Sequence, residues 1–250
     1  MALSSSFAID LTLRRDIVPD FDSYPFNLPA VRHLQVLPFH PAVTFIVGEN
    51  GSGKSTLLEA IAVALGFNAE GGSRNFNFDT RASHSVLHEY VRIAKGFRRP
   101  RDGYFLRAES FFNVATEIER LDESGPGDPI GPAYGTRSLH EQSHGESFMA
   151  LLTHRFRGRG LYVLDEPEAA LSPQRQLAAM ARIHQLVKQG SQFIIATHSP
   201  ILMAYPEARI YACTEKGLRR TDYVDTEHYQ VTHDFLVNPQ RMLDRLLADE

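Results

Sequence analysis

The chain holds one cysteine, Cys213, so it cannot close a disulfide within itself, and no Cys cluster of zinc-site spacing is present. A thiol with no base or second thiol assignable to it reads as buried or inert, and the missing disulfides fit a reducing cytoplasm. No stretch approaches the roughly 18 uninterrupted apolar residues that a spanning helix needs. That excludes direct membrane insertion, so a membrane role would have to come through a partner. Residues 1–16 lack the charged start and continuous apolar core of a secretion signal; residues 7–13 alternate apolar and polar side chains instead, as a strand does. Charge of either sign is not in excess: 26 Lys and Arg against 30 Asp and Glu leave −4, so any pull toward nucleic acid has to be local. Internal repeats, sustained heptads and a low-complexity tail are also missing.

What is present suits a folded domain. With 43% apolar and 22% charged residues, 250 residues can bury a substantial core as one α/β domain with a subdomain. Residues 7–13 and 31–37 read as an antiparallel strand pair. Residues 43–47, all apolar but for one threonine and followed by glycine, read as a buried central strand. Residues 54–65 have helical spacing and stop at Gly66. Residues 67–80 read as a loop, 83–94 and 109–121 as helices, and 103–108 as a strand. Residues 67–140 are therefore expected to form a small, mostly helical subdomain. A helix at 145–156, a strand at 161–164, a helix at 173–188 and a strand at 192–196 follow, and that alternation implies parallel pairing. A hairpin after 208 and polar helices within 226–247 complete the reading.

Gly48-Glu49-Asn50-Gly51-Ser52-Gly53-Lys54-Ser55 has the spacing G-x-x-x-x-G-K-[ST], after an expected strand and before an expected helix. Glycines let such a loop curl its N–H groups around phosphate, and the helix that continues through Thr56 adds its positive end. The motif predicts ATP binding, with Lys54 bridging the β- and γ-phosphates and the Ser55 hydroxyl on Mg²⁺. The strand at 161–164 runs into Asp165 and Glu166. Paired acids ending a buried strand are costly without a cation, so Asp165 is expected in the magnesium shell and Glu166 beside the attacking water. The next strand ends at Thr197-His198-Ser199-Pro200. A parallel sheet brings both ends beside the P-loop, where His198 can donate to a γ-phosphate.

In this order the motifs resemble those of the ABC-type ATPases, and Asp165-Glu166-Pro167-Glu168-Ala169-Ala170-Leu171-Ser172 resembles their catalytic strand and D-loop. Within that superfamily the chain is similar to the small bacterial AAA-type ATPases related to RecF and SMC-like proteins, down to the tail at 226–239. The resemblance implies an α/β, three-layer P-loop fold with an N-terminal antiparallel β subdomain and a small helical insertion. It implies that Gln142 to Ser147 is the signature, usually LSGGQ, with His144 and Glu146 replacing a glycine and the glutamine. Ser143 and Gly145 would then cap the γ-phosphate of ATP on the opposite subunit of an ATP-dependent homodimer, although Ser143 also reads as a plain N-cap. It further implies a Q-loop in Phe105 to Ser110, with Glu109 replacing glutamine as a ligand for metal or water; an ordinary acid in a helix's first turn is the other reading. Such a chain would be a bare head, without coiled coil or second catalytic domain. Its cycle would drive a switch in DNA repair or defence, a transporter, or a separate protein effector.

Arg92, Lys95, Arg98, Arg99, Arg101 and Arg107, interleaved with Phe97 and Tyr104, form the densest basic stretch. It suits nucleic-acid phosphates or, more simply, a solvated or docking face. Tyr24 and Phe26 suit either adenine stacking or the core. Arg14 and Arg15 have no assignable place.

Overall fold

A strand with no polar face must be covered on both sides, and Val43–Val47 is buried at all five residues in the computed structural model, which describes residues 6–73, 85–107 and 144–248. The described strands are β1 (Ala8–Leu13), β2 (Val36–Pro38), β3 (Val43–Val47), β4 (Val91–Lys95), β5 (Asp102–Arg107), β6 (Gly160–Asp165), β7 (Gln192–Ala196), β8 (Arg209–Thr214) and β9 (Gly217–Thr221). The described helices are α1 (Pro29–Arg32), α2 (Lys54–Ala64), α3 (His144–Ala150), α4 (Pro173–Lys188), α5 (Pro200–Met203), α6 (Glu227–Val237) and α7 (Pro239–Leu246).

The main sheet runs β5-β6-β7-β3-β8-β9, parallel except for the final hairpin strand β9. Successive side chains along a strand leave on opposite faces, and the two cores follow that period. Leu161 and Val163 of β6 and Ile194 and Ala196 of β7 join α2 on one face. Tyr162 and Leu164, with Phe193 and Ile195, join α3 and α4 on the other. The result is the expected three-layer α/β fold. The antiparallel subdomain is also present, as a smaller sheet of order β2-β1-β4 over the α2 face. Buried Gln192 joins the sheets: its carbonyl accepts from the Phe7 and Ala8 amides, both at 2.9 Å, and its amide donates to the Ala8 and His40 carbonyls. Among the described residues no helix is long and apolar enough to cross a membrane.

Local chemistry explains the helices. In α4 the Ser172 hydroxyl caps the start, Pro173 fits the first turn, and Ala179, Ile183 and Leu186 form the buried stripe. It ends before Gly190, at φ 83°.

Two expectations are corrected. Residues 31–37 are not one strand: Pro29 opens the short helix α1, which spends Ala30 and Val31 on core packing, and pairing with β1 is left to β2. Residues 83–94 are not a helix where described. Ser85 caps a 3₁₀ turn at Val86–Tyr90, and β4 then pairs with β1, setting Leu13 opposite Val91 and Leu11 opposite Ile93. A short alternating run next to an available strand edge takes the period of two, although the same residues also fit a helix. The helix expected at 109–121, and most of the insertion, lie outside the described residues.

Candidate functional site

β3 leads directly into Gly48, and the loop can pass only because it carries no side chains at its tight points. A Cβ on Gly48, at φ 146°, would stand 2.8 Å from the Cys213 carbonyl oxygen on β8. One on Gly53, at φ 93°, would stand 2.9 Å from Leu28 Cβ. Gly51, at φ 78°, meets nothing within 4 Å and is needed for its backbone alone. The rim of Glu49, Asn50 and Gly51 is exposed, while Lys54 is buried at the start of α2. The Lys54 ammonium donates to the Glu49 carbonyl at 2.8 Å and has no ion pair among the described residues; burial lowers its pKa. Thr56 is partly exposed in the first turn of α2.

The parallel register brings the acids to this loop. Asp165 aligns with Ala196, which aligns with Ile46, so β6, β7 and β3 end together. The Ser55 hydroxyl donates to Asp165 Oδ1 at 3.1 Å. Glu166 adopts φ 48°, a left-handed conformation rare outside glycine that costs about 1 kcal/mol or more. Its amide donates to the Ala196 carbonyl at 2.9 Å, and its Oε1 lies 3.3 Å from His198 Nε2. The His198 amide donates to Glu168 Oε1 at 2.5 Å, and His198 Nδ1 is 3.0 Å from Nε2 of His228, on α6. Burial, and then Lys54, lower the His198 pKa; burial also lowers that of His228 and raises that of Glu168.

The donor set fits a magnesium triphosphate. One buried polar atom at this mouth, Ser52 Oγ, makes no hydrogen bond, an arrangement that costs on the order of 1–3 kcal/mol unless something else meets it. Among the described residues no group of three His, Cys, Asp or Glu could hold a metal by itself. Mg²⁺ takes one or two carboxylates and completes its shell with water and phosphate oxygens, and the Ser55–Asp165 pair offers one such carboxylate.

A family model described as "AAA domain" matches residues 20–141, and a second AAA-domain model, whose description refers to the AbiEii toxin of a Type IV TA system, matches residues 89–204. Both models describe an AAA domain, and together they span residues 20–204. The chain is 27% identical over 177 residues to ABC transporter G family member STR2 of Medicago truncatula, covering 63% of this chain and 24% of that protein. It is 24% identical to the hemin import ATP-binding protein HmuV of Bartonella quintana (strain Toulouse), covering 70% of this chain and 72% of that one. A solved ATP-binding cassette of an ABC transporter, in its ADP conformation, superposes with a TM-score of 0.47 at 18% identity, covering 98% of this chain and all of the other.

Of the remaining expected residues, Ser143 and Glu109 lie outside those described. Gly145, in α3, packs against the D-loop: a Cβ there would stand 2.5 Å from the Ala170 carbonyl oxygen. Phe26 is core, edge-on to Tyr90 at 4.8 Å, whereas Tyr24 is 63% exposed. Arg15 stacks over Phe21 and donates to the Arg32 and Leu34 carbonyls, which ties down the N-terminal segment. Cys213 sits behind the P-loop with its Sγ 3.4 Å from the Ser52 carbonyl, and burial pushes its pKa up. The basic stretch divides. Arg107 pairs with Glu59 at 2.8 Å and Tyr104 is core. Arg98, Arg99 and Arg101, with Arg159 and Lys188, line an open cleft of about 750 Å³ at the starts of β5 and β6, the sheet edge opposite the P-loop.

His228 was not found from the sequence, because thirty residues of chain separate it from His198 and only the packing of α6 joins them. The Thr226-Glu227-His228 start of a helix was visible, but nothing in it pointed at the phosphate site.

Proposed function

We propose that the chain hydrolyses ATP as a head that closes into an ATP-dependent homodimer, and that it works in the cytoplasm as a nucleotide-driven switch. The observation that carries this reading is the convergence of Lys54, the Ser55–Asp165 pair and the Glu166–His198 pair on one loop. Lys54, with the N–H groups of residues 48–56, holds the phosphates. Ser55 and Asp165, with Glu109, would hold Mg²⁺, which when bound neutralises developing charge on the transferred phosphoryl group. Glu166 orients water and accepts its proton, and His198 donates from Nε2 toward the γ-phosphate. Ser143 and Gly145 of the partner copy would cover the exposed rim.

A DNA-linked role in repair or defence is supported by the cleft cations. Arg98, Arg99, Arg101, Arg159 and Lys188 are exposed and form no ion pair among the described residues, and Phe97 beside them is 92% exposed. Similarity to the ABC transporter member STR2 and to the hemin import protein HmuV supports the alternative of a transporter motor, and a switch docking a separate effector is a third form of the same head.

ATPase rate per subunit, measured against protein concentration with and without duplex DNA at low salt, tests both levels. A rate per subunit that rises with concentration supports the shared site, and a flat one contradicts it. Stimulation by DNA that is lost on raising the salt supports the cleft. No binding and no change in rate rejects the DNA-linked form.

A further inference from the structure

His228 lies in the family-like tail at 226–239, where it has no assigned role, yet it touches the residue proposed to contact the γ-phosphate. Its place is fixed locally. Thr226 caps α6, accepting from the Tyr229 amide at 3.4 Å and donating to the Tyr223 carbonyl at 2.7 Å, so the helix's first turn is held at a set angle. From that turn His228 Nε2 reaches His198 Nδ1 at 3.0 Å, with the ring centroids 5.1 Å apart.

A neutral imidazole carries one N–H, so this contact decides where the proton of His198 sits. If His198 donated from Nδ1, its Nε2 lone pair would face Glu166 Oε1 at 3.3 Å, two electron-rich atoms in partial burial. If His228 donates from Nε2, His198 Nδ1 accepts, and the proton on His198 Nε2 faces the carboxylate. The second arrangement is the favourable one. It also keeps the Nε2–H of His198 on the side of the ring that faces Glu166 and the phosphate mouth.

We propose that His228 is a positioning residue for hydrolysis: it holds His198 in the Nε2–H tautomer and fixes the plane of its ring, tying the C-terminal helices to the phosphate site. This rests on the reading of the site as hydrolytic. The ring of His198 cannot turn over without losing its bond to α6, so any shift of His198 with nucleotide is passed to that helix. Support from a neighbouring group commonly changes activity by about 10- to 100-fold without touching substrate.

The test compares His228→Ala, His228→Gln, His198→Ala and the double variant, with histidine ¹⁵N spectra of the nucleotide-free protein. His228→Ala should lower kcat about tenfold with the KM for ATP little changed. His228→Gln, whose amide can donate from a similar place, should recover most of the loss. In the His198→Ala background the second substitution should change nothing. In the wild-type spectra His198 should be protonated at Nε2 only, and in His228→Ala it should become a mixture. Equal losses in both backgrounds, no rescue by glutamine, or a wild-type His198 protonated at Nδ1 would each overturn the proposal. If His198→Ala leaves the rate unchanged, the hydrolytic reading of His198 fails, and the spectra still decide the tautomer.

Discussion

Glu168 and His198 meet through a backbone hydrogen bond, and burial disfavours the charged form of each, so they respond to pH in opposite senses. His40, His198 and His228 have folded pKa values below the ordinary 6.5, so the unfolded chain binds their protons first and stability falls as pH drops through about 6.5. Glu168 is raised above the ordinary 4.5, so the folded chain binds its proton first and stability is lost as pH rises from about 4.5 through its folded value. Glu168→Gln removes the opposing contribution while keeping a carbonyl for the His198 amide. Its melting temperature should therefore fall more steeply than the wild type's between neutral pH and about pH 5, and a parallel or shallower fall would contradict the assignment. At this scale the contiguous motifs were legible: Gly48 to Ser55, Asp165 and Glu166, and His198 each sit at the end of a strand whose apolar run is visible. His228 and the buried amide of Gln192 were not. Their partners are set by how distant elements pack, which no spacing along the chain records.

The elements read best from sequence are those buried on one clear face or on both. β3, β7 and α4 fall on their expected residues, because an apolar run closed by glycine and a capped amphipathic stretch leave little choice. The segments at 31–37 and 83–94 misled because they are short and mixed in pattern, and the neighbouring edge of β1 and the proline at 29 decided between helix and strand. α4 gives a direct measure of how far its stripe holds the fold. Ile183 is 4% exposed and Leu177, on the same helix, is 53% exposed. Ile183→Ala should cost about 2–4 kcal/mol in chemical denaturation, and Leu177→Ala less than about 0.5 kcal/mol. Similar losses at both positions would mean that the helix is not held by that face.

For the whole molecule, the two sheets and three layers place the P-loop, the paired acids and His198 along one edge of the main sheet, and the cleft cations along the other. A chain of net charge −4 thereby separates a phosphate site from an arginine-lined surface, so nucleotide and any polyanionic partner need not compete for the same residues. The phosphate mouth keeps an exposed rim and, at Ser52 Oγ, a buried polar atom without a hydrogen bond, which is how half of a shared site would look before its partner copy and nucleotide arrive. The most direct test of that claim is the size of Glu166→Gln in solution with and without Mg-ATP, since this variant should bind nucleotide and fail to turn it over. A shared site gives a monomer alone and a dimer with ATP. A protein that stays monomeric at saturating ATP would contradict it.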